Sequence, residues 1–132
     1  MEETSRPGNG FTILLAEDED EVRELIAQVL QFSGYAVLTA PDGESALALF
    51  QKHKNQIDLI LLDLSMPVMG GMAVFEEVRK ISQETRILFN SGYDTRTIVQ
   101  EIDGQDRVFT LQKPYTPTVL LETIGRILQP AE

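Results

Sequence analysis

The sequence IDLILLDLSMPVMGG, residues 57–71, joins the most hydrophobic segment of the chain to an acidic residue and a loop. Its first part, Ile57–Leu62, is a short and nearly continuous apolar run, which predicts a strand buried on both faces. Asp63 follows directly, and Pro67 with the glycine pair at 70 and 71 predicts a loop after it. We therefore expect the strand to lie inside a helix-covered parallel sheet, with the acid at the edge of that sheet.

Outward from this stretch, short apolar runs alternate with amphipathic stretches along most of the chain. Further strands are predicted over residues 11–16, 35–39, 87–89 and 108–111, with helices between them, including a short one over 95–102. Helical spacing marks the inward faces of the first and last helices: Val22, Leu25, Ile26, Val29 and Leu30, and Val119, Leu120, Thr123, Ile124, Ile127 and Leu128. Five strand–helix units predict an α/β fold, a flavodoxin-like (βα)5 doubly wound parallel sheet with strand order 2-1-3-4-5.

Length and charge exclude several classes of function. The 132 residues suit one domain, and 21 acidic against 11 basic residues give a net charge of -10. This balance argues against direct contact with nucleic acid or anionic membranes, which attract clustered Lys and Arg. The sequence has no cysteine, no signal peptide and no apolar run of about 18 residues, so a cytoplasmic location is expected. We interpret residues 1–10 as a flexible N-terminal lead and 11–130 as the domain.

Polar side chains follow four of the predicted strands. Glu17 and Asp18 follow the first strand, Asp63 the third, Ser91 the fourth and Lys113 the fifth. The carboxyl ends of parallel strands meet at one edge of the sheet, so these side chains are expected to converge. Three close carboxylates repel one another unless a cation joins them, and oxygen ligands without His or Cys favour Mg²⁺. An Asp beside Mg²⁺, a lysine and a hydroxyl is equipped to accept a phosphoryl group as an acyl phosphate.

Each of these residues alone also fits an ordinary structural role. The acidic run Glu17–Glu21 could complement a helix dipole in solvent, and Asp63 could form a turn or cap a helix. Ser91 could be a cap, and Lys113 a surface charge. Only their joint placement at one edge of the sheet favours the phosphoryl site.

Four motifs carry a family resemblance, in this order: ILLAEDED, DLILLDLSMPVMGG, ILFNSGY and LQKPYTP. With them, residues 12–128 resemble the receiver domain of two-component response regulators. The segments GYAVLTAPDGESAL and SGYDT are most similar to receivers attached to hybrid sensor histidine kinases. The resemblance implies a phosphorelay domain that takes a phosphoryl group from a histidine of a sensor kinase or of a histidine phosphotransfer protein. It also implies an acceptor that assists its own phosphorylation and dephosphorylation rather than a conventional enzyme, with phosphorylation-dependent dimerisation as one possible outcome.

The resemblance assigns roles by matching position. Asp63 is the phosphoacceptor, and Mg²⁺ is held by Glu17, Asp18, Asp63 and the backbone carbonyl of Ser65. Ser91 and Lys113 engage the phosphoryl group, and Gly92 leaves the site open. The Lys113–Pro114 peptide is often cis in this family.

Two positions depart from the family pattern. Glu17 stands where Asp is commoner, and Thr110 stands where a switching Tyr or Phe is usual. Phe109 is adjacent but should point to the opposite face of its strand. We expect the output surface to be the face of the predicted fourth helix, fifth strand and fifth helix. Residues expected near it are Tyr93, Thr95, Thr110, Tyr115 and Thr116.

Two alternatives remain open from the sequence. One is a receiver-like interaction module that is never phosphorylated. The other is a haloacid-dehalogenase-like phosphatase, whose DxDx(T/V) signature occurs at residues 18–22 with Asp18 as nucleophile and Asp20 as general acid. His53 is the only histidine and is interpreted as a surface residue, so a partner must supply the phosphohistidine. Three methionines, at positions 66, 69 and 72, are expected to pack beside the Asp63 loop.

Overall fold

The structure is a computed structural model, and it describes residues 10–92 and 107–128. Within these ranges five strands and four helices alternate. They are β1 (Thr12–Ala16), α1 (Asp20–Phe32), β2 (Ala36–Ala40), α2 (Gly43–His53), β3 (Leu59–Asp63), α3 (Gly71–Ile81), β4 (Arg86–Ser91), β5 (Val108–Gln112) and α4 (Pro117–Leu128). The helix α4 is the predicted fifth helix, because the helix predicted over 95–102 lies outside the described residues. None of the described helices is long and apolar enough to cross a membrane.

The five strands form one parallel sheet in the order β2-β1-β3-β4-β5, which confirms the predicted flavodoxin-like topology. β4 is longer than the predicted strand 87–89, because the backbone ladder continues through the polar residues Asn90 and Ser91. Asn90 pairs with Asp63, and Ser91 pairs with Gln112. The extension matters for function, since it carries these two polar side chains to the edge where β3 ends.

Two hydrophobic clusters cover the two faces of the sheet. The first lies under α2 and α3 and includes Leu14, Phe50, Val78 and Phe89, and the second lies under α1 and α4 and includes Leu15, Leu30, Leu61 and Ile124. Every residue of β3 is buried, as predicted for the central strand. Successive residues of the strands alternate between the clusters, so each strand is fixed from both faces.

Two residues predicted on inward helix faces are exposed. Leu25 of α1 is 60% exposed, and Val119 of α4 is 40% exposed. Both predictions were wrong, because the two residues lie at the margins of their apolar stripes and the centres are taken by Ile26 and Ile124. A helical stripe predicts the buried side of a helix but not how far the neighbouring element covers its margins.

The loop after β3 packs as the sequence predicts. Met66 is buried in the first cluster, and Met69 and Met72 pack against it. Gly71 begins α3 so close to β3 that an added Cβ would lie 2.7 Å from the carbonyl oxygen of Asp63 and 2.9 Å from Cα of Leu64. The start of α3 therefore contacts the backbone that carries the acid.

We predict that Gly71→Ala lowers the free energy of unfolding by about 1–3 kcal/mol, because backbone atoms at this contact must move apart. The matched control is Gly125→Ala in α4, where an added Cβ meets no atom within 4 Å. That control should raise the free energy of unfolding by up to about 1 kcal/mol, since alanine favours a helix. Urea unfolding of the two variants measures both effects, and equal changes would contradict the close approach of α3 to β3.

Candidate functional site

At one edge of the sheet, four strands end at a polar residue or are directly followed by one. Glu17 directly follows β1, Asp63 ends β3, Ser91 ends β4 and Lys113 directly follows β5. Backbone hydrogen bonds continue past the strands here. The N–H of Glu17 donates to Ala40 at 3.1 Å, and the N–H of Lys113 donates to Ser91 at 2.7 Å. These bonds fix where each side chain leaves the backbone.

Three of these side chains form an acidic cluster. One carboxylate oxygen from each of Glu17, Asp18 and Asp63 lies within 4.8 Å of the others. Glu17 is 1% exposed and Asp63 4% exposed, whereas Asp18 is half-buried. Oε1 of Glu17 has no hydrogen-bond partner among the residues that the structure describes. A buried carboxylate oxygen that accepts no hydrogen bond from a described residue, beside two further carboxylates, fits the ligand set of a hard divalent cation.

In each of the two buried carboxylates, one oxygen accepts a backbone hydrogen bond and the other accepts none from the backbone of the described residues. The N–H of Ser65 donates to Oδ1 of Asp63 at 3.0 Å, and the N–H of Glu19 donates to Oε2 of Glu17 at 3.1 Å. The other two oxygens face Lys113, whose Nζ lies 3.5 Å from Oδ2 of Asp63 and 3.7 Å from Oε1 of Glu17. A single ammonium is therefore shared by two buried carboxylates.

The pKa of Glu17 is raised from its ordinary value of 4.5 to about 6. Burial is the largest cause, because it penalises the charged form. The negative charges of Asp63 and Asp18 raise the pKa further, while the N–H of Glu19 and the charge of Lys113 lower it. The ionised form of Glu17 therefore lowers the stability of the fold at neutral pH, and a cation bound beside it would offset that loss of stability.

The structure places the other predicted residues around this cluster. Ser91 is buried at the end of β4, and Gly92 follows it. Ser65 is exposed at the start of the loop and holds Asp63 through its N–H, while the role of its carbonyl oxygen stays a prediction. The Lys113–Pro114 peptide is cis, as expected.

The strand β5 confirms the departure from the family pattern. Phe109 is exposed, whereas Thr110 is half-buried and pairs with Phe89. The ring of Phe109 therefore lies on the opposite face from the position where the family has its switching aromatic residue. Tyr93 and Thr95, which were also expected near the output surface, lie outside the described residues.

The acids beyond Asp18 belong to the exposed start of α1 rather than to the cluster. Asp20 is exposed and forms an ion pair with Arg23 at 2.6 Å, and Arg23 also donates to the backbone oxygen of Glu17 at 2.9 Å. The phosphatase alternative needs Asp20 as a general acid near Asp18. An exposed carboxylate already paired with an arginine does not suit that role.

Sequence reasoning missed one polar side chain at this edge, Asn90, and named Tyr115 only for the output surface. Asn90 is fully buried next to Asp63, and neither of its side-chain polar atoms has a hydrogen bond with any residue in the described part of the chain. Burial raises the pKa of Tyr115 to about 12, and the carboxylates of Glu17 and Asp63 add to this rise. The asparagine inside the apolar run ILFNS was a usable signal. For Tyr115 the sequence carries no sign of a link to the carboxylates, because a tyrosine after a strand is ordinary.

Comparison with known proteins agrees with this geometry. The profile described as the response regulator receiver domain matches residues 13–125. The probable transcriptional regulator ycf27 of Galdieria sulphuraria is 39% identical over 119 residues, covering 89% of this chain and 45% of that protein. Sensor kinase CckA of Brucella abortus (strain 2308) is 30% identical over 129 residues, covering 98% of this chain and 14% of the kinase.

A solved structure extends the likeness to three dimensions. The receiver domain from the hybrid histidine kinase CckA has a TM-score of 0.77 and 32% identity, covering 89% of this chain and 99% of that structure. The expected likeness to receivers of hybrid kinases is therefore confirmed. This chain spans less than half the length of the two relatives named above.

We predict that Glu17→Gln stabilises the metal-free chain at neutral pH. A pKa raised from 4.5 to about 6 means that the folded wild type loses stability as pH rises through this window, by up to about 2 kcal/mol. The glutamine variant has no such loss, so its advantage should be full at pH 7.5 and absent below pH 4.5.

Urea unfolding with a chelator across this pH range measures the difference. The matched control is Glu24→Gln, which removes an exposed acid of α1 and should change little. A constant difference between Glu17→Gln and wild type at all pH values would contradict the raised pKa.

Proposed function

Because this chain belongs to the response regulator receiver domain family, we propose that Asp63 accepts a phosphoryl group from a phosphohistidine of a partner protein. The partner is a sensor histidine kinase or a histidine phosphotransfer protein. The observation that carries this proposal is the position of Asp63, buried at the sheet edge with Lys113 Nζ 3.5 Å from its Oδ2 and two further carboxylates beside it. The absence of cysteine fits the reducing cytosol, where we propose the domain works.

The transfer uses the two oxygens of Asp63 differently. Oδ1 is held by the N–H of Ser65, which orients the carboxylate. Oδ2 attacks the phosphorus atom, and the bond from phosphorus to the histidine nitrogen breaks as the new oxygen–phosphorus bond forms. The ammonium of Lys113 already lies beside Oδ2, and it stabilises the negative charge on the phosphoryl oxygens as the group is transferred.

Magnesium is the cofactor that the acidic cluster suits. Glu17, Asp18 and Asp63 would hold it, and the carbonyl oxygen of Ser65 would add a fourth protein ligand. When bound, Mg²⁺ neutralises negative charge on the transferring oxygens. In this scheme the domain is a phosphoacceptor that assists its own phosphorylation and dephosphorylation rather than an enzyme with turnover.

The phosphoryl group would act as a switch through neighbouring residues. It adds about two negative charges and new hydrogen-bond acceptors. Ser91 ends β4, which pairs with the strand of Asp63, and Lys113 follows β5, the next strand in the sheet. The hydroxyl of Ser91 and the ammonium of Lys113 can be drawn towards the phosphoryl group. The β5–α4 part of the proposed output surface surrounds a cavity of about 300 Å³ lined by Phe109, Thr110 and Arg126, among others. A phosphorylation-dependent contact at this surface, with a partner or a second copy, is part of the proposal.

We predict that wild type gains one phosphoryl group from acetyl phosphate or phosphoramidate with Mg²⁺, and that Asp63→Asn gains none. Intact mass after rapid quenching measures the adduct, which a chelator should abolish. The matched control Asp20→Asn removes an exposed acid and should keep the adduct. An adduct retained in Asp63→Asn would point to Asp18 and favour the phosphatase alternative. No adduct in wild type would favour the interaction module.

We predict that Mg²⁺ raises the free energy of unfolding of wild type by about 3 kcal/mol when its concentration is 100-fold above the dissociation constant. Asp18→Asn should lose this effect, whereas Asp20→Asn should keep it. The stabilisation should weaken as pH falls below about 6, because protonated Glu17 no longer offers a charged ligand. Thermal or urea unfolding in a Mg²⁺ series checks this, and a pH-independent effect would exclude Glu17 from the ligand set.

A further inference from the structure

Asn90 is a buried amide to which the proposed function gives no role. Its side chain is fully buried, and within residues 10–92 and 107–128 neither Nδ2 nor Oδ1 has a hydrogen-bond partner. An amide buried in this way lowers stability relative to an apolar side chain of similar size. The residue lies in β4, immediately before Ser91, at the edge of the sheet that carries the acidic cluster. A polar group that is buried there without a partner calls for a role in another state of the protein.

Strand order and register place the side chain of Asn90 next to that of Asp63. β4 lies between β3 and β5 in the sheet, and Asn90 pairs with Asp63 on one side and with Leu111 on the other. Asn90 and Asp63 share the face under α1 and α4, because Leu88 and Leu61, each two residues earlier in its strand, belong to the second hydrophobic cluster. The amide and the acceptor carboxylate are therefore neighbours across the β3–β4 pair.

The side chain of Lys113 crosses β4 to reach Asp63. Lys113 directly follows β5, and two strand spacings, about 9–10 Å, separate β5 from β3. Its Nζ nevertheless lies 3.5 Å from Oδ2 of Asp63. The N–H of Lys113 donates to the carbonyl oxygen of Ser91, so the lysine leaves its backbone close to the end of β4. Its side chain therefore passes over the end of β4, where Asn90 supplies a polar group to the face that carries Asp63.

A divalent cation and the ammonium of Lys113 compete for the same carboxylate oxygens. Oδ1 of Asp63 and Oε2 of Glu17 already accept backbone hydrogen bonds. The other two oxygens, Oδ2 of Asp63 and Oε1 of Glu17, are left for a cation, and they are also the two that face the ammonium at 3.5 and 3.7 Å. Two positive charges so close repel each other, so a bound cation displaces the ammonium. The displaced ammonium then needs another acceptor near its present place.

We propose that Asn90 is a positioning residue for Mg²⁺ binding, and that its Oδ1 accepts the ammonium of Lys113 when the cation occupies the acidic cluster. The inference rests on the proposed function and names the regulation of that same site. An amide has an acceptor for the ammonium and a donor for a carboxylate, so Asn90 can stand between Lys113 and Asp63 once their direct contact opens. A hydrogen bond to a charged group is stronger than one between neutral groups, so this contact favours the cation-bound state. It also keeps the lysine close to Asp63, within reach of an incoming phosphoryl group.

The test is a Mg²⁺ titration followed by NMR of the backbone amide of Ser65, which reports the acidic site because it donates to Asp63. Asn90→Leu should raise the dissociation constant of Mg²⁺ about tenfold, as the loss of one hydrogen bond to a charged group would. Lys113→Met should lower the constant, because the competing ammonium is gone. In the Lys113→Met background, Asn90→Leu should change the constant by less than about twofold, since the amide acts through the lysine.

Thr85→Val is the matched control, since Thr85 is another buried polar residue and directly precedes β4. Its hydroxyl donates to Oγ of Ser82 at 3.0 Å, and its loss should leave the Mg²⁺ constant unchanged. An unchanged constant in Asn90→Leu would overturn the inference while leaving the proposed function intact. An equal loss of affinity with and without Lys113 would also overturn it, because the effect would then not act through the lysine. No Ser65 shift with Mg²⁺ in wild type would overturn the proposed cofactor and the inference with it.

A second readout needs no change at position 90 and stays decisive even if the leucine variant folds poorly. In wild type the side-chain NH₂ signals of Asn90 should shift with the same Mg²⁺ midpoint as the amide of Ser65, because the side chain gains a partner. Most of that shift should be lost in Lys113→Met. Asn90 signals that stay fixed in wild type, or that shift equally in Lys113→Met, would overturn the inference.

The melting temperature of Asn90→Leu in the presence of a chelator gives a third readout. We expect it to lie above that of wild type, because leucine removes two buried polar atoms that have no partner among the described residues. A lower melting temperature would show that the amide already stabilises the metal-free state, and it would overturn the positioning role.

Discussion

Two carboxylates buried at one edge of the sheet, with one ammonium between them, are the constraint around which this domain is arranged. Glu17 and Asp63 are almost fully buried, and Lys113 Nζ lies within 4 Å of both. Charges removed from water are costly unless they are paired and hydrogen-bonded. The backbone supplies part of what is needed, since Ser65 and Glu19 each donate an N–H to one oxygen of these carboxylates. The negative charge that these donors and Lys113 leave uncompensated gives the site its affinity for a cation.

The fold makes this crowding possible because it fixes the strand ends independently of the charges. Apolar clusters on both faces hold β1 and β3, and backbone ladders continue past the strands to Glu17 and Lys113. Gly71 lets α3 begin against the carbonyl of Asp63, so the loop after β3 cannot move the acid away without disturbing the helix. The hydrophobic free energy of the two clusters thus offsets the electrostatic cost of the edge.

The sequence predicts those features of the fold that depend on the alternation of strands and helices along the whole chain. Alternating strands and helices predict the strand order, and the order brings Glu17, Asp63, Ser91 and Lys113 together without any local motif. Features set by neighbours in space are not predictable in this way. The exposure of Leu25 depends on how far α4 covers α1, and the burial of Glu17 contrasts with the exposed Asp20 in the same acidic run. Asn90 was missed because apolar periodicity ends at Phe89 while the ladder continues.

The buried polar groups that lower the stability of this state lie at the sheet edge that carries Asp63. Their position bears on how the domain could switch. The side-chain atoms that are buried without a hydrogen bond in the described residues belong to Glu17 and Asn90 alone. Glu17 is held charged against a raised pKa, and the side-chain amide of Asn90 has no hydrogen bond to any residue that the structure describes. A ligand shifts an equilibrium only by its differential affinity for the two states. A site whose resting state leaves both a carboxylate oxygen and an amide unsatisfied, side by side with the acceptor Asp63, provides that difference at the point where a phosphoryl group would arrive.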